Sequence, residues 1–368
     1  MQLYLYEDGT TTAQYPILTK GKPGTPYETP AGAYRVLTKE EDHFNRGEGV
    51  HMPYSMEFYG NYFIHGWPVY ANGTPVASNY SGGCIRLSTD DAAKVFAFAG
   101  RGTGVFVYDP GNASQVSPLT LAPAPLPAIT AASYLVADLD TGDVYAEQNA
   151  QVQRPIASVT KLMTALVANE TIMFDKPITL ARGKLQATEV ETDTVPVTFV
   201  VGDLLYPLLM ESNNYIADTL AQYYGPRAFI SWMNSQAQAL DMASTTFADA
   251  NGASSDNQST PEDLYRLAVY LADKKSFVWK ITRTAQKSIV ADDGSRYSFT
   301  NVNEPSEASV FSVKLGGQAR RVAVIVLDSA DHANDTQKLE SWFDQSATQG
   351  ANTACASCTQ AVYRKIAL

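Results

Sequence analysis

The sequence predicts a multidomain chain in which a mostly-β unit is followed by an α+β unit. Three observations carry this. The stretch 110–130, PGNASQVSPLTLAPAPLPAIT, holds five prolines and no charged residue, a composition that favours extended polyproline conformation and reads as a semi-rigid spacer. Residues 1–109 are rich in Tyr, Phe, Val and Gly, with turn clusters at Gly21–Gly24 and Thr29–Gly32, which is strand-and-turn chemistry. Residues 131–347 mix a hairpin pattern, several helical periods and a late buried strand, the order expected of α+β. A tail over 348–368 carries Cys355 and Cys358 as C-x-x-C.

The elements follow in order. The start, MQLYLYEDGT, has neither a basic segment nor an apolar run, so it reads as a strand with a turn at Asp8-Gly9 rather than as a signal peptide. Leu3 and Leu5 fall on one face, Tyr4 and Tyr6 on the other. Ser88 or Thr89 can cap a helix ahead of Asp90 and Asp91, running through Ala92–Phe98. Beyond the spacer, Ser133–Glu147 reads as a hairpin turning at Asp140-Thr141-Gly142. Helical period appears in Ser158–Glu170, Asp203–Tyr224 and Phe229–Leu240. Ser259-Thr260-Pro261-Glu262-Asp263 announces a further helix, with a capping hydroxyl, Pro in the first turn and acids at the positive end. Val322–Leu327 reads as a short buried strand and Gln337–Phe343 as a closing helix.

Composition excludes two function classes. The 368 residues hold 27 Lys+Arg against 38 Asp+Glu, a net charge of −11, which argues against nucleic-acid binding because phosphate affinity comes chiefly from Lys and Arg. No apolar run reaches the ~18–20 residues that span a bilayer, so no transmembrane segment is expected. Cys355 and Cys358 lack the His partners of a structural zinc site, the last histidine being His332. They read as a mobile tail or a local disulfide.

Cys84 sits in Ser81-Gly82-Gly83-Cys84-Ile85-Arg86. A structural cysteine keeps apolar neighbours. Here two glycines allow a tight turn whose amides can converge on an oxyanion, and Arg86 offers a fork of donors for a carboxylate. A thiol nucleophile needs a base. Among four histidines, His65 in Phe63-Ile64-His65-Gly66 stands where a strand meets a glycine, 19 residues before the cysteine. A satisfied core histidine is the alternative.

These residues resemble the catalytic domain of the bacterial cell-wall L,D-transpeptidases (the YkuD-like domain), whose signature is an upstream His and S-H-G-C-[IV]-R. Thr29-Pro30-Ala31-Gly32-Ala33-Tyr34 and His51-Met52-Pro53-Tyr54 match as well, and the likeness covers residues 2–109. Gly82 replaces the motif histidine. The resemblance implies acyl transfer. Cys84 attacks the L,D-peptide bond of a tetrapeptide stem and expels D-alanine, and the thioester passes to an amine or to water. His65 moves the proton, the Gly66 carbonyl orients the imidazole, and the amides of Gly82, Gly83 and Cys84 form an oxyanion hole.

Ser158-Val159-Thr160-Lys161 is an S-x-x-K at a helix start, and three residues apart both side chains share one face. Ser212-Asn213-Asn214 follows the apolar Leu208-Leu209-Met210, and Val313-Lys314-Leu315-Gly316-Gly317 lies on a strand pattern. Singly, each has a bland reading. In order, they resemble the penicillin-recognising serine enzymes. Residues 131–345, notably Met233–Gly252 and Ser259–Leu271, are similar to the D-Ala-D-Ala carboxypeptidases among them. The resemblance makes Ser158 the nucleophile, Lys161 its base, Ser212 a proton relay, Asn214 a substrate-amide ligand and Lys314 a carboxylate ligand. Leu315 stands where the family has Thr. Either a strand is trimmed there, or Lys314 belongs to a hairpin and the motif is absent.

Together the resemblances imply an L,D-transpeptidase-like unit joined to a unit of the serine β-lactamase and penicillin-binding-protein fold. Its partners are peptidoglycan stem peptides, with β-lactams as covalent inhibitors. Both sites are expected to work outside the cytoplasmic membrane, and neither calls for a metal or organic cofactor.

Overall fold

Asp8 and Gly9 both take positive φ, 49° and 77°, the geometry of a primed two-residue turn. They join β1 (Gln2–Glu7) to β2 (Thr10–Pro16). Leu5 of that hairpin is buried, while Tyr4 and Tyr6 stay exposed. This computed structural model describes residues 1–23, 25–45, 48–108, 121, 124–172, 174–185, 195–302, 308–315, 318–352 and 364–365. One compact unit is built on Met1–Asp109 and a second on Pro110–Ala168 and Phe174–Leu368.

In the first unit β3 (Gly32–Arg35), β4 (Thr38–Asn45), β5 (Val50–Tyr59), β6 (Tyr62–His65), β7 (Val69–Tyr70) and β8 (Ile85–Arg86) precede the helix α1 (Thr89–Phe98) and β9 (Gly104–Val107). The main sheet runs β4-β5-β6-β8 with β7 also on β5, and β3 pairs β9 separately. The β6–β8 pair is parallel, with His65 opposite Arg86. Because directly paired residues of a sheet share a face, that register sets His65 and Arg86 side by side, with Cys84 at the entry to β8. The helix begins as expected, with the Asp91 amide donating to Ser88 Oγ at 3.1 Å. Its end is closed by Lys39, whose Nζ donates to the carbonyls of Phe96 and Ala99 at 2.6 and 2.5 Å. A cation there satisfies orphan carbonyls at the negative end of the helix dipole.

In the second unit the hairpin β10 (Ser133–Asp138) and β11 (Asp143–Gln148) leads through β12 (Arg154–Pro155) and a 3₁₀ turn at Ala157–Val159 into α2 (Thr160–Ile172). Then come β13 (Pro177–Ala181), β14 (Pro196–Val200), α3 (Val201–Met210), α4 (Asn214–Gln222), α5 (Pro226–Ala239) and β15 (Gln258–Ser259). The chain continues as α6 (Pro261–Lys274), α7 (Phe277–Thr282), β16 (Gln286–Val290), β17 (Arg296–Thr300), β18 (Ala308–Leu315), β19 (Gln318–Leu327), α8 (His332–Asn352) and β20 (Arg364–Lys365). The central sheet has the order β18-β19-β10-β11-β20 and is antiparallel throughout. Asp138, fully buried in it, accepts from Arg320 Nε at 3.0 Å and from the Tyr145 hydroxyl at 3.1 Å, while its carbonyl takes the Tyr265 hydroxyl of α6 at 2.6 Å. A buried carboxylate is tolerable because it is paired and hydrogen-bonded.

Five expectations need correction. The helical period over Asp203–Tyr224 is two helices, because Ser212 adopts φ 54° and breaks the run between α3 and α4. The strand at Val322–Leu327 starts earlier, at Gln318, and the closing helix is far longer than Gln337–Phe343. The spacer does not stand clear along its length. Leu121 is buried in the cluster of Val324, Leu339 and Phe343, and Trp342 Nε1 and Lys338 Nζ donate to the carbonyls of Ala124 and Ala128 at 3.2 and 3.1 Å. Apolar residues placed between prolines thus pack on α8. Finally, the tail is not wholly outside the fold, since Asp143 and Val144 of β11 pair with Lys365 and Arg364. Cys355 and Cys358 lie outside the described residues.

Candidate active sites

In the first unit, β6 delivers His65, 1 % exposed. Its Nδ1 stands 2.6 Å from the Gly66 carbonyl, so Nδ1–H donates there and Nε2 keeps its lone pair. The Gly66 amide is itself bound to the Pro53 carbonyl at 2.8 Å. Burial, joined by the Arg86 and His43 charges and opposed by the Gly66 acceptor, pulls the imidazole down to about 4.

Cys84 is half-buried at the entry to β8. Its turn depends on Gly83, whose φ of +122° and 1.9 Å clearance to the Tyr62 ring exclude a Cβ. Thr29 Oγ1 donates to the Gly83 carbonyl at 2.8 Å and accepts from the Gly21 amide at 2.9 Å. Ser81 Oγ donates to the Cys84 carbonyl at 2.5 Å and accepts from the Gly83 amide at 3.1 Å. That last bond corrects the expected oxyanion hole, because the Gly83 amide is spent inside the turn. The thiol lies 3.8 Å from the Asn61 carbonyl, and no hydrogen bond joins it to His65 among the described residues. Burial pushes the thiol up to about 11, against partial relief from the Phe63 backbone and the Arg86 charge. The resting pair is therefore neutral thiol and neutral imidazole.

Arg86 is 5 % exposed. Its Nη1 donates to the Tyr80 carbonyl at 3.3 Å, its guanidinium lies 5.9 Å from the Trp67 ring centroid, and Nε has no partner. A buried guanidinium without a carboxylate partner among the described residues is costly unless a ligand supplies one.

The His65 shift has a consequence for stability. Below about pH 6.5 an unfolded imidazole binds a proton that the folded one refuses until pH 4, so stability is lost as pH falls across that window. At 1.36 kcal/mol per unit, the loss reaches about 3 kcal/mol. Amide-exchange protection of Ile64 and Ile85 in the full chain should fall accordingly between pH 7 and pH 4.5. Unchanged protection refutes this assignment.

In the second unit, Ser158 is exposed on the 3₁₀ turn, while Lys161, one helical turn on, is 2 % exposed. Lys161 Nζ is 3.2 Å from Ser158 Oγ, and Ser212 Oγ donates to Ser158 Oγ at 2.8 Å. Lys161 Nζ also donates to the Asn251 carbonyl at 2.6 Å. Two non-glycine residues here sit at positive φ, Ala157 at 41° and Ser212 at 54°, a conformation costing of order 1–3 kcal/mol and typical of functional sites. Gly252, at φ +84°, lets its backbone pass the Ala157 carbonyl, which a Cβ would meet at 2.0 Å. Asn214 is exposed at the start of α4, and Asn213 caps that helix by accepting from the Ile216 amide at 3.1 Å. Lys314 lies near the end of edge strand β18, opposite Ala319, with Leu315 opposite Gln318. The connection from Lys314 to β19 is thus short, and Gly316 falls outside the described residues.

Sequence reasoning missed Asn61, Asn251 and Gly252. The first two act through main-chain carbonyls, which leave no mark on residue type, whereas the Asn251-Gly252 dipeptide is a turn signal that could have been read. Among the described residues no group of three His, Cys, Asp or Glu could hold a metal, and no helix is long and apolar enough to cross a membrane.

Comparison with known proteins accords with this geometry. Residues 1–107 match the L,D-transpeptidase catalytic domain. The D-alanyl-D-alanine endopeptidase of Pseudomonas aeruginosa is 37% identical over 146 residues, covering 38% of this chain and 47% of that protein. The chain thus spans about half the length of that relative. The Escherichia coli K12 endopeptidase is 27% identical over 245 residues, or 59% of this chain and 78% of its own. In fold, the chain is similar to a penicillin-binding protein homolog of Mycobacterium tuberculosis, at TM-score 0.51 and 24% identity over 62% of this chain and 95% of the other. The Streptomyces K15 DD-transpeptidase gives TM-score 0.51 at 23% identity over 60% and 98%. Residues 120–316, more than half the chain, match D-alanyl-D-alanine carboxypeptidase, and the chain belongs to that family.

Proposed function

We propose that the chain is a bifunctional peptidoglycan enzyme. Its second unit removes the terminal D-alanine of pentapeptide stems through a Ser158 acyl-enzyme, and its first unit uses the resulting tetrapeptides for Cys84-dependent L,D-transpeptidation. The observation that carries the reading is the convergence of Lys161 and Ser212 on the exposed Ser158 Oγ, at 3.2 and 2.8 Å. A buried amine next to an exposed hydroxyl is the arrangement of an activated nucleophile. Lys161 takes the Ser158 proton as Oγ attacks the carbonyl, and Ser212 passes it to the leaving amine. Asn214 binds the stem amide and Lys314 the terminal carboxylate, while Leu315 forgoes the hydroxyl contact that threonine supplies.

In the first unit, His65 Nε2 takes the Cys84 proton when the thiol turns from the Asn61 carbonyl toward a bound stem, because apo distances between base and nucleophile commonly close only on binding. The Gly82 and Cys84 amides receive the oxyanion, and Ser81 holds their turn. Arg86 pairs with a stem carboxylate. Joining the two units raises the local concentration of tetrapeptide donor. Such substrates place both reactions outside the cytoplasmic membrane.

Intact-mass measurement tests the whole reading. Penicillin should add one adduct that Ser158→Ala removes, and a carbapenem should add another that Cys84→Ala removes. An unmodified wild-type Ser158 would reduce the second unit to a stem-peptide binder. An unmodified Cys84 would remove the transpeptidase.

A further inference from the structure

We infer that Asp218 is a positioning residue for the Ser158 site, acting through Asn251 on Lys161; the inference rests on the serine-acylation reading above. Asp218 lies on α4 four residues after Asn214, hence on the same helix face. Asn251 Nδ2 donates to both of its carboxylate oxygens, at 2.9 and 3.1 Å. The main-chain oxygen of the same Asn251 accepts from Lys161 Nζ at 2.6 Å. One residue therefore joins the carboxylate to the general base.

The rest of the loop explains why this link matters. The Ala250 carbonyl takes the Thr164 hydroxyl at 2.6 Å, so α2 holds the loop at two successive carbonyls. On its inner side the turn is fixed by Asp249, which accepts from the Gly252 and Ser254 amides at 2.7 and 2.6 Å, and by the fully buried Asn257. From α4, Asp218 bonds this loop through Asn251. Since α4 begins two residues after Ser212, the Asp218–Asn251 bond keeps the helix that anchors the proton relay in register with the carbonyl that aims the base. A displacement of about 1 Å at such a site costs up to ~10²-fold in rate. The carboxylate touches no reacting atom.

The test is a double-mutant cycle on the full chain, reading acylation by a fluorescent penicillin as separate binding and chemical steps. Asp218→Ala and Asn251→Ala should each slow the chemical step about tenfold and leave the binding constant within about twofold. The double variant should be no slower than either single, because both remove one link. Asp218→Asn keeps an acceptor and should recover most of the rate. Losses that multiply, a loss confined to binding, or a wild-type rate in Asp218→Ala overturn the inference. A wild-type chain that forms no Ser158 adduct instead defeats the serine reading, and Lys161 then decides alone. Its ¹³Cε resonance, read at one fixed pH, should move in Asp218→Ala, as the Asn251 carbonyl is no longer held against Nζ. An unmoved resonance overturns the clamp.

Discussion

Lys161→Ala should slow Ser158 acylation by about 10²–10⁴-fold, the range a positioned general base contributes, and Ser158→Ala should abolish it. The Lys161 amine is buried, 3.2 Å from the hydroxyl, and α2 holds it by helix geometry, so no other described amine can replace it without moving the helix. Removing the side chain also leaves the Asn251 carbonyl without its Lys161 donor, which costs about 1–3 kcal/mol of stability where water does not replace it. Release of D-alanine from pentapeptide, followed beside a thermal melt, separates the two effects. A variant that melts within a few degrees of wild type and keeps its full rate would refute the assignment of Lys161 as base.

His65→Ala should cost the first unit a similar 10²–10⁴-fold in D-alanine release from tetrapeptide stems. The reason is the resting protonation state. With its thiol pushed up to about 11 and its imidazole down to about 4, the pair cannot rest as an ion pair, so each turnover needs a proton transfer to His65 Nε2. The same state predicts sluggish alkylation. Two units above an ordinary thiol, Cys84 holds about a hundredfold less thiolate at pH 7, and higher intrinsic nucleophilicity, with Brønsted slope about 0.4–0.5, returns about tenfold. Peptide-resolved iodoacetamide labelling should therefore find Cys84 about tenfold slower than free cysteine, rising tenfold per pH unit up to about pH 11. A rate that levels off near pH 7 would reveal a stored thiolate and reverse this account.

Local chemistry made much of this protein legible from residue order. The Ser88 and Thr260 caps, the Asp8-Gly9 turn and the S-x-x-K spacing all act over three or four residues, a range over which helix and turn geometry are fixed by covalent structure. Cys84 and His65 stand out in the same way, as candidate residue types flanked by glycines. Tertiary structure decided what local rules do not reach. Ser212 meets Ser158 across 54 residues of chain, and the left-handed turn that brings it there interrupts an otherwise continuous helical period. Leu121 is buried in the cluster with Leu339 and Phe343 because α8 offers an apolar face. The Gly83 amide is taken by Ser81, and Lys161 finds its acceptor in Asn251, through main-chain atoms that every residue type carries alike. Sequence names the reactive side chains. Only the folded backbone determines which carbonyls and amides hold them, since those groups are chemically identical along the chain until packing chooses among them.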